Sequence, residues 1–375
     1  MPRTSLLSLA ALALAVPFLS WAAVTDDNLP TSGRELYLAA CAACHGADGR
    51  GASRSQVGFD VPLPDFTDCS FATREPDGDW GTIAAHGGPA RAFSELMPAF
   101  GGILDDNRIR LILDEVRTFC TDDNWPRGEL NLPRPLVTEK AYPEDEAVID
   151  LGVTTDDPGV VRTEIVFEKR IRARGQIEVI FPFGWVEPSS DPSFPDRTEW
   201  SSALGDLALG YKHAFFHSLE HGSILSVTGE MKFPTGDEDV LGKGTYVFEP
   251  FLSYGQLLPA ETFLHAQAGL ELPFDTDRAD NEAFLRAVFG GTLTSGKWGR
   301  AWTPMLELLG SRGLVSGADT DWDAVYELQV TLNRRQHVML NAGVRTPLTD
   351  PDERSTQVLM YLLWDWFDGG LFAGW

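Results

Sequence analysis

The chain is short of cysteine, of basic residues and of long apolar segments. It has four cysteines in 375 residues, and 30 Lys and Arg against 55 Asp and Glu, which gives a formal net charge of −25 at pH 7. This acidity argues against nucleic acid as a partner, because nucleic-acid binding needs a basic surface. No segment beyond the amino terminus approaches a spanning helix in length and hydrophobicity. The length is ample for two domains.

The one long apolar segment runs from Leu6 to Leu19, after the basic Arg3 and before the small residues around Ala22. This order predicts that residues 1–22 are a secretory signal peptide. The segment is too short for a spanning helix. The rest of the chain is therefore expected in an oxidising, exported location.

Two of the four cysteines lie in the run Cys41-Ala42-Ala43-Cys44-His45. C-x-x-C-H is the attachment signature of c-type haem: two thiols form thioethers and the next imidazole reaches the iron. A zinc half-site or a redox dithiol is the alternative interpretation of this spacing.

Met97 is the candidate for the second iron ligand, because no other methionine occurs between Leu29 and Cys120. It precedes a stretch with apolar residues at helical spacing, Asn107 to Phe119. His45 and Met97 would hold the iron from opposite faces and leave no open position for oxygen chemistry. His86 is the competing ligand, and core filling is the alternative role of a lone methionine.

Residues 30–121 resemble class I cytochrome c in these motifs, together with Gly33 to Tyr37 and Asp48 to Gly51. The resemblance implies an all-α fold around one covalent haem c, acting as a one-electron carrier. Its partners would be periplasmic or membrane-bound redox proteins. An enzyme is not expected, because the sequence shows no triad, paired acid or open metal site.

Cys69 and Cys120 are the remaining cysteines, and an exported chain favours a disulfide between them. The loop of about fifty residues that it closes would contribute about 4 kcal/mol in the chain-entropy model. Two buried free thiols are the alternative.

A proline-containing stretch without periodicity, residues 123–143, separates two regions of different character. It is predicted to be an extended linker between a cytochrome domain at 24–122 and a second domain at 144–375.

The second domain alternates apolar and polar residues. In 176–185, Ile177, Phe181 and Trp185 fall on one face, and Gln176 and Glu178 on the other. The stretches 223–233, 262–274 and 324–332 alternate in the same way. Period two predicts strands with one apolar face, in a soluble sandwich or in a membrane barrel.

Three features favour the barrel. The strands have ten to thirteen residues, short and long connections alternate, and the sequence closes on the aromatic Trp375. Eleven strands are visible and one more is expected in 138–153, so an all-β antiparallel barrel of about 12 strands is predicted, with both ends in the periplasm. An aromatic belt is expected at four tryptophans: Trp298, Trp302, Trp364 and Trp366.

Gly205 to Lys212 and Phe233 to Asp237 look like the outer-membrane transporter-like proteins linked to phenol meta-degradation gene clusters. That resemblance implies a barrel in contact with outer-membrane lipid. The plan of the whole chain is similar to the cytochrome–porin fusions of iron-oxidising bacteria. Two further motifs are weak evidence of function. The glycine–lysine pair in 236–245 breaks the phosphate-loop pattern. His213, His217 and His221 span a strand and its turn, so a shared metal site is not expected there.

The expected function is one-electron transfer at the periplasmic side of an outer-membrane barrel. Transfer across the outer membrane is an extension of this function, although one haem cannot by itself span an apolar band about 25 Å tall. The alternatives are a small-solute pore or transporter with a tethered carrier, and a barrel that only anchors the cytochrome.

Overall fold

The computed structural model describes residues 30–61, 63–154, 159–187, 200–238, 241–295 and 300–365. The expected signal peptide and the tryptophans Trp298, Trp366 and Trp375 lie outside the described residues. In the part described, no helix combines the length and the apolarity that crossing a membrane requires.

The first region is all-α, as predicted. Its helices are α1 Gly33–Ala40, α2 Ala42–His45, α3 Arg54–Val57, α4 Cys69–Ala72, α5 Asp77–His86 and α6 Asp106–Arg117, with 3-10 turns at Gly88–Arg91 and Gly128–Leu130. Ser32 caps α1 by accepting a hydrogen bond from the Glu35 N–H at 3.3 Å. A Cβ on Gly33 would lie 2.2 Å from the Leu111 oxygen, so only glycine lets α1 and α6 pack this closely.

The second region contains fourteen strands among the described residues. They are β1 Glu146–Thr154, β2 Val160–Ile171, β3 Gly175–Val186, β4 Ser201–Leu204, β5 Leu207–Ser218, β6 Ser223–Phe233, β7 Val247–Leu258, β8 Thr262–Pro273, β9 Glu282–Gly291, β10 Leu293–Ser295, β11 Arg300–Gly313, β12 Asp321–Thr331, β13 Val338–Pro347 and β14 Gln357–Asp365.

These strands close into a barrel with twelve positions around the wall. All pairings are antiparallel, β1 pairs with β14, and β9 pairs with β11. The short strand β4 pairs with the same neighbour, β3, as β5 does, so the two share one position in the wall. In the same way β10 continues β9 beside β11. The predicted count of 12 is confirmed.

The barrel is apolar outside and polar inside, as the alternation predicts. Phe181, Tyr326 and Leu328 are exposed on the outer face, whereas Glu168, Gln267 and Gln329 are buried inside. Among the described strands, each of the twelve positions in the wall is paired on both sides, so the ring is closed, as a lipid environment requires.

The segment from Asn131 to Asp145, most of the expected linker, lies inside the barrel; we call it the plug. The plug leads directly into β1, and its residues 134–138 contact inward-facing side chains of several strands. The region therefore has a second structural role beyond joining two domains, because it fills the space that the wall encloses.

The helical domain contacts the barrel at its short-turn end. His337 Nε2 lies 3.2 Å from the Glu75 carboxylate. Arg335, in the turn between β12 and β13, donates to the Ala92 carbonyl at 3.3 Å and lies over the Phe93 ring. In outer-membrane barrels the short turns face the periplasm, so the helical domain is on the periplasmic side.

A first prediction concerns the outer face at mid-height. Leu306 pairs with Phe289 on one side and Tyr326 on the other, and all three are exposed outward. We expect Leu306→Arg to destabilise the barrel by about 2–4 kcal/mol in lipid, because a lipid-facing charge is costly near the bilayer midplane. Urea titration of the protein in vesicles measures this change.

The matched control is Leu314→Arg, just beyond the end of the same strand, where the leucine is also exposed. This change is expected to cost less than about 1 kcal/mol. Equal effects at the two positions would mean that the outer face does not contact lipid.

Candidate functional site

The two cysteines of the C-x-x-C-H run lie where α1 meets α2. The Cys41 N–H donates to the Tyr37 carbonyl at 2.9 Å and ends α1, and the His45 N–H donates to the Cys41 carbonyl at 2.9 Å. Both thiols are half-buried and are not joined to each other. Burial, with a smaller effect of Cys44, raises the pKa of the Cys41 thiol to about 11. The helix junction thus presents two neighbouring sulfurs beside one imidazole.

His45 is held in an apolar setting. Its ring stacks on Phe66 with centroids 5.1 Å apart. Burial lowers the pKa of the His45 imidazole, so the ring is neutral at pH 7 and keeps a lone pair for a metal. Its Nδ1 atom is buried and has no hydrogen-bond partner among the described residues. An unpartnered ring nitrogen next to two free thiols fits a haem iron ligand.

Met97 is positioned by the backbone that follows α5. The Gly88 N–H donates to the Met97 carbonyl at 3.0 Å, and the Met97 N–H donates to the Ser94 carbonyl at 3.2 Å. A Cβ on Gly88 would lie 2.2 Å from the Ser94 oxygen, so the close approach of the two segments requires glycine there. The competing His86 is the exposed last residue of α5.

Several large apolar side chains close to these residues in sequence face solvent. Leu38 on α1, Leu96 before Met97, and Ile103 after it are all exposed. A porphyrin is a flat apolar ligand, and side chains of this kind are what it would cover. The donor set and its apolar surroundings therefore fit a haem.

Cys69 and Cys120 are joined in a disulfide with Cα atoms 5.1 Å apart. The bond connects the start of α4 to the residues after α6. Close by, the rings of Phe66, Phe71 and Trp80 pack together, and the Arg117 guanidinium lies 4.0 Å from the Trp80 ring centroid. These contacts brace the side of the domain that carries His45.

The histidines of β5 do not form a metal site in the described part of the chain. His213 stacks with Tyr211, and His221 Nδ1 lies 2.9 Å from the Ser218 hydroxyl in the turn. The one group of His, Cys, Asp or Glu with metal-ligand spacing among the described residues contains Glu139, Glu168 and Glu178. Sequence reasoning missed this group, because Glu139 belongs to the segment predicted as a linker.

The plug is bound to the barrel wall by carboxylates. Glu307 accepts hydrogen bonds from the Val137 N–H at 3.0 Å and the Thr138 N–H at 2.9 Å. Glu327 accepts from the Leu136 N–H at 2.9 Å. Three consecutive plug residues therefore have their backbone donors satisfied by the wall.

Contacts on other strands complete the plug's attachment. The Tyr361 hydroxyl donates to the Arg134 carbonyl at 2.6 Å, and the Arg134 guanidinium lies 2.6 Å from Glu146 and 3.0 Å from Glu168. His265 Nε2 lies 3.0 Å from the Pro133 carbonyl. Because these partners lie on β1, β2, β8 and β14, the plug is held from several sides of the lumen.

Residues 28–114 match a family model described as cytochrome c oxidase, cbb3-type, subunit III. This range contains Cys41, Cys44, His45 and Met97. No curated protein matches the chain.

The barrel is similar to solved outer-membrane structures. An outer-membrane channel from Pseudomonas putida F1 is 16% identical over 62% of this chain and 99% of the channel, with a TM-score of 0.45. The NanC porin is 8% identical over 58% of this chain and 98% of its own, with a TM-score of 0.41. The KdgM porin is 9% identical over 58% of this chain and 98% of its own, with a TM-score of 0.38.

The strand pairing and the apolar outer face of the barrel itself define its class. Together with the family match at residues 28–114, they show a helical domain similar to c-type cytochromes, followed by a twelve-stranded antiparallel barrel of the outer-membrane type.

Proposed function

We propose that the protein is a monohaem c-type cytochrome that transfers one electron at a time on the periplasmic side of the outer membrane. The observation that carries this proposal is the pair of free thiols beside a half-buried, neutral His45 whose Nδ1 atom is buried and has no partner among the described residues. Its redox partners are proposed to be periplasmic or membrane-bound proteins.

Each residue of the site has a distinct role in this proposal. Cys41 and Cys44 would attach the haem covalently, and His45 and Met97 would bind its iron. The bound haem would supply the one-electron couple. Thioether and imidazole ligands together would raise its reduction potential and favour electron transfer over oxygen binding.

The barrel is proposed to anchor this carrier. The plug occupies the lumen at the short-turn end, and its carboxylate contacts oppose an open solute pathway. Contacts such as His337 with Glu75 hold the cytochrome domain against the same end. A pore remains the second candidate because the inner wall is polar, and porin lumens share that property.

A second prediction tests the iron ligand. Met97→Ala is expected to keep the haem on the chain but to remove one proposed ligand of its iron, so that the reduced protein would bind carbon monoxide and its midpoint potential would fall. Difference spectra with carbon monoxide and redox titration measure both changes. The control is Met231→Ala, on the outer face of β6, which should leave the spectrum and potential unchanged. If the wild type and the Met97 variant bound carbon monoxide equally, Met97 would not be a ligand of the iron.

A third prediction tests from which side of the outer membrane a reductant reaches the haem. In intact cells, a membrane-impermeant reductant is expected to leave the haem oxidised, whereas the same reagent reduces it once the outer membrane is permeabilised. Whole-cell absorbance records both states. Rapid reduction in intact cells would contradict the anchor and support transfer of electrons across the outer membrane.

A fourth prediction concerns the plug. The purified full chain is expected to show little conductance in planar bilayers. The double variant Glu307→Ala, Glu327→Ala should increase the time that the barrel spends in a conducting state. The reason is that each carboxylate holds the plug through hydrogen bonds worth about 1.5–3 kcal/mol. The control is Glu271→Ala, which pairs with Lys243 and Lys232 rather than with the plug. Steady wild-type conductance would instead support the pore.

A further inference from the structure

Three carboxylates from three different segments meet inside the barrel. Glu139 comes from the plug, Glu168 from β2 and Glu178 from β3, and one oxygen of each lies within 4.8 Å of the others. Glu168 and Glu178 are directly opposite each other in the strand register. Like charges in such cross-strand pairs are destabilising, so the arrangement needs a compensating positive group.

The protein's own cations compensate this cluster incompletely. Glu168 is fully buried; its Oε1 atom accepts from Arg134 at 3.0 Å, but its Oε2 atom has no partner in the described structure. Glu178 is only 4% exposed, and no described Lys or Arg forms an ion pair with it. Lys212 lies 3.4 Å from Glu139.

The connected ion-pair network around the cluster has an excess of negative charge. Its members are the acids Glu139, Glu144, Glu146 and Glu168 and the bases Arg134, Lys140 and Lys212. Glu178 adjoins this network without an ion pair of its own. With Glu178 included, five carboxylates against three cations give a formal net charge of −2. One divalent cation would neutralise this excess.

Space beside Glu178 is kept free by a glycine. Gly210 on β5 is opposite Glu178 in the register, and a Cβ there would lie 3.1 Å from the Glu178 Oε1 atom. A larger residue at this position would crowd the carboxylate. The glycine therefore gives the Glu178 carboxylate room beside β5.

We propose that Glu139, Glu168 and Glu178 bind one Ca²⁺ ion, which connects the plug to strands β2 and β3. An all-oxygen, carboxylate-rich set suits hard cations rather than zinc or copper. Ca²⁺ accepts oxygens at about 2.3–2.6 Å in flexible geometry, so oxygens within 4.8 Å of one another can share it. Water would complete its coordination.

The bound ion would fix the plug. Glu139 reaches the wall through side-chain charge, and its neighbour Thr138 is hydrogen-bonded to Glu307. The Glu139 N–H also donates to the Gln267 side-chain oxygen at 3.3 Å. A cation on Glu139 would add a direct connection to β2 and β3. Removal of the ion should loosen residues 136–140 before it loosens the barrel wall.

The test uses the full haem-loaded chain in detergent after treatment with a chelator. Isothermal titration with Ca²⁺ is expected to give one site per chain, and Glu178→Gln is expected to weaken it by at least about tenfold, because ligand charge sets affinity. Glu164→Gln, four residues from Glu168 on β2, is the matched control and should change the affinity less than about twofold.

Two further measurements keep the test decisive. Gly210→Ala keeps all three carboxylates but should also weaken Ca²⁺ binding, and hydrogen exchange at residues 136–140 should slow when Ca²⁺ is added to the wild type. Absence of binding at millimolar Ca²⁺, or equal affinity in the wild type and Glu178→Gln, would overturn the proposal. The haem spectrum is expected to stay unchanged throughout, so this result is independent of the electron-transfer function.

Discussion

The structure depends on the need to pair charges that the barrel wall encloses. A wall that is apolar toward lipid must place its polar side chains inside, and burying a charge is costly unless it is paired and hydrogen-bonded. Glu146, Glu168, Glu307 and Glu327 are such side chains. The plug supplies their partners, through the Arg134 guanidinium and the backbone N–H groups of Leu136 to Thr138.

The same constraint joins the two domains. Asp145, at the end of the plug, pairs with Arg74 of the cytochrome domain and accepts hydrogen bonds from Lys169 at 2.6 Å and from the Arg170 N–H at 3.0 Å. Tyr142 in turn donates to the Pro126 carbonyl at 3.1 Å. One short segment therefore pairs with the buried carboxylates of the barrel wall and also holds the helical domain against the barrel.

Local patterns were sufficient to predict both folds. The period-two alternation in 262–273 and 324–332 predicted strands because each residue's face depends only on its place in its own strand. The C-x-x-C-H run predicted the thiols and His45 for the same local reason. The plug was predicted only as a linker, since Val137 and Thr138 are satisfied by Glu307, about 170 residues away in sequence. The acidic cluster escaped prediction because Glu139 meets Glu168 and Glu178 only after the barrel closes.

The position of the plug immediately before β1 has a consequence for biogenesis. β1 pairs with β14 along the seam where the first and last strands meet. The plug is continuous with one edge of that seam, and the folded, disulfide-bonded cytochrome precedes it at the periplasmic end. Closure of this seam therefore also encloses the plug, because the plug and β1 are one continuous stretch of chain.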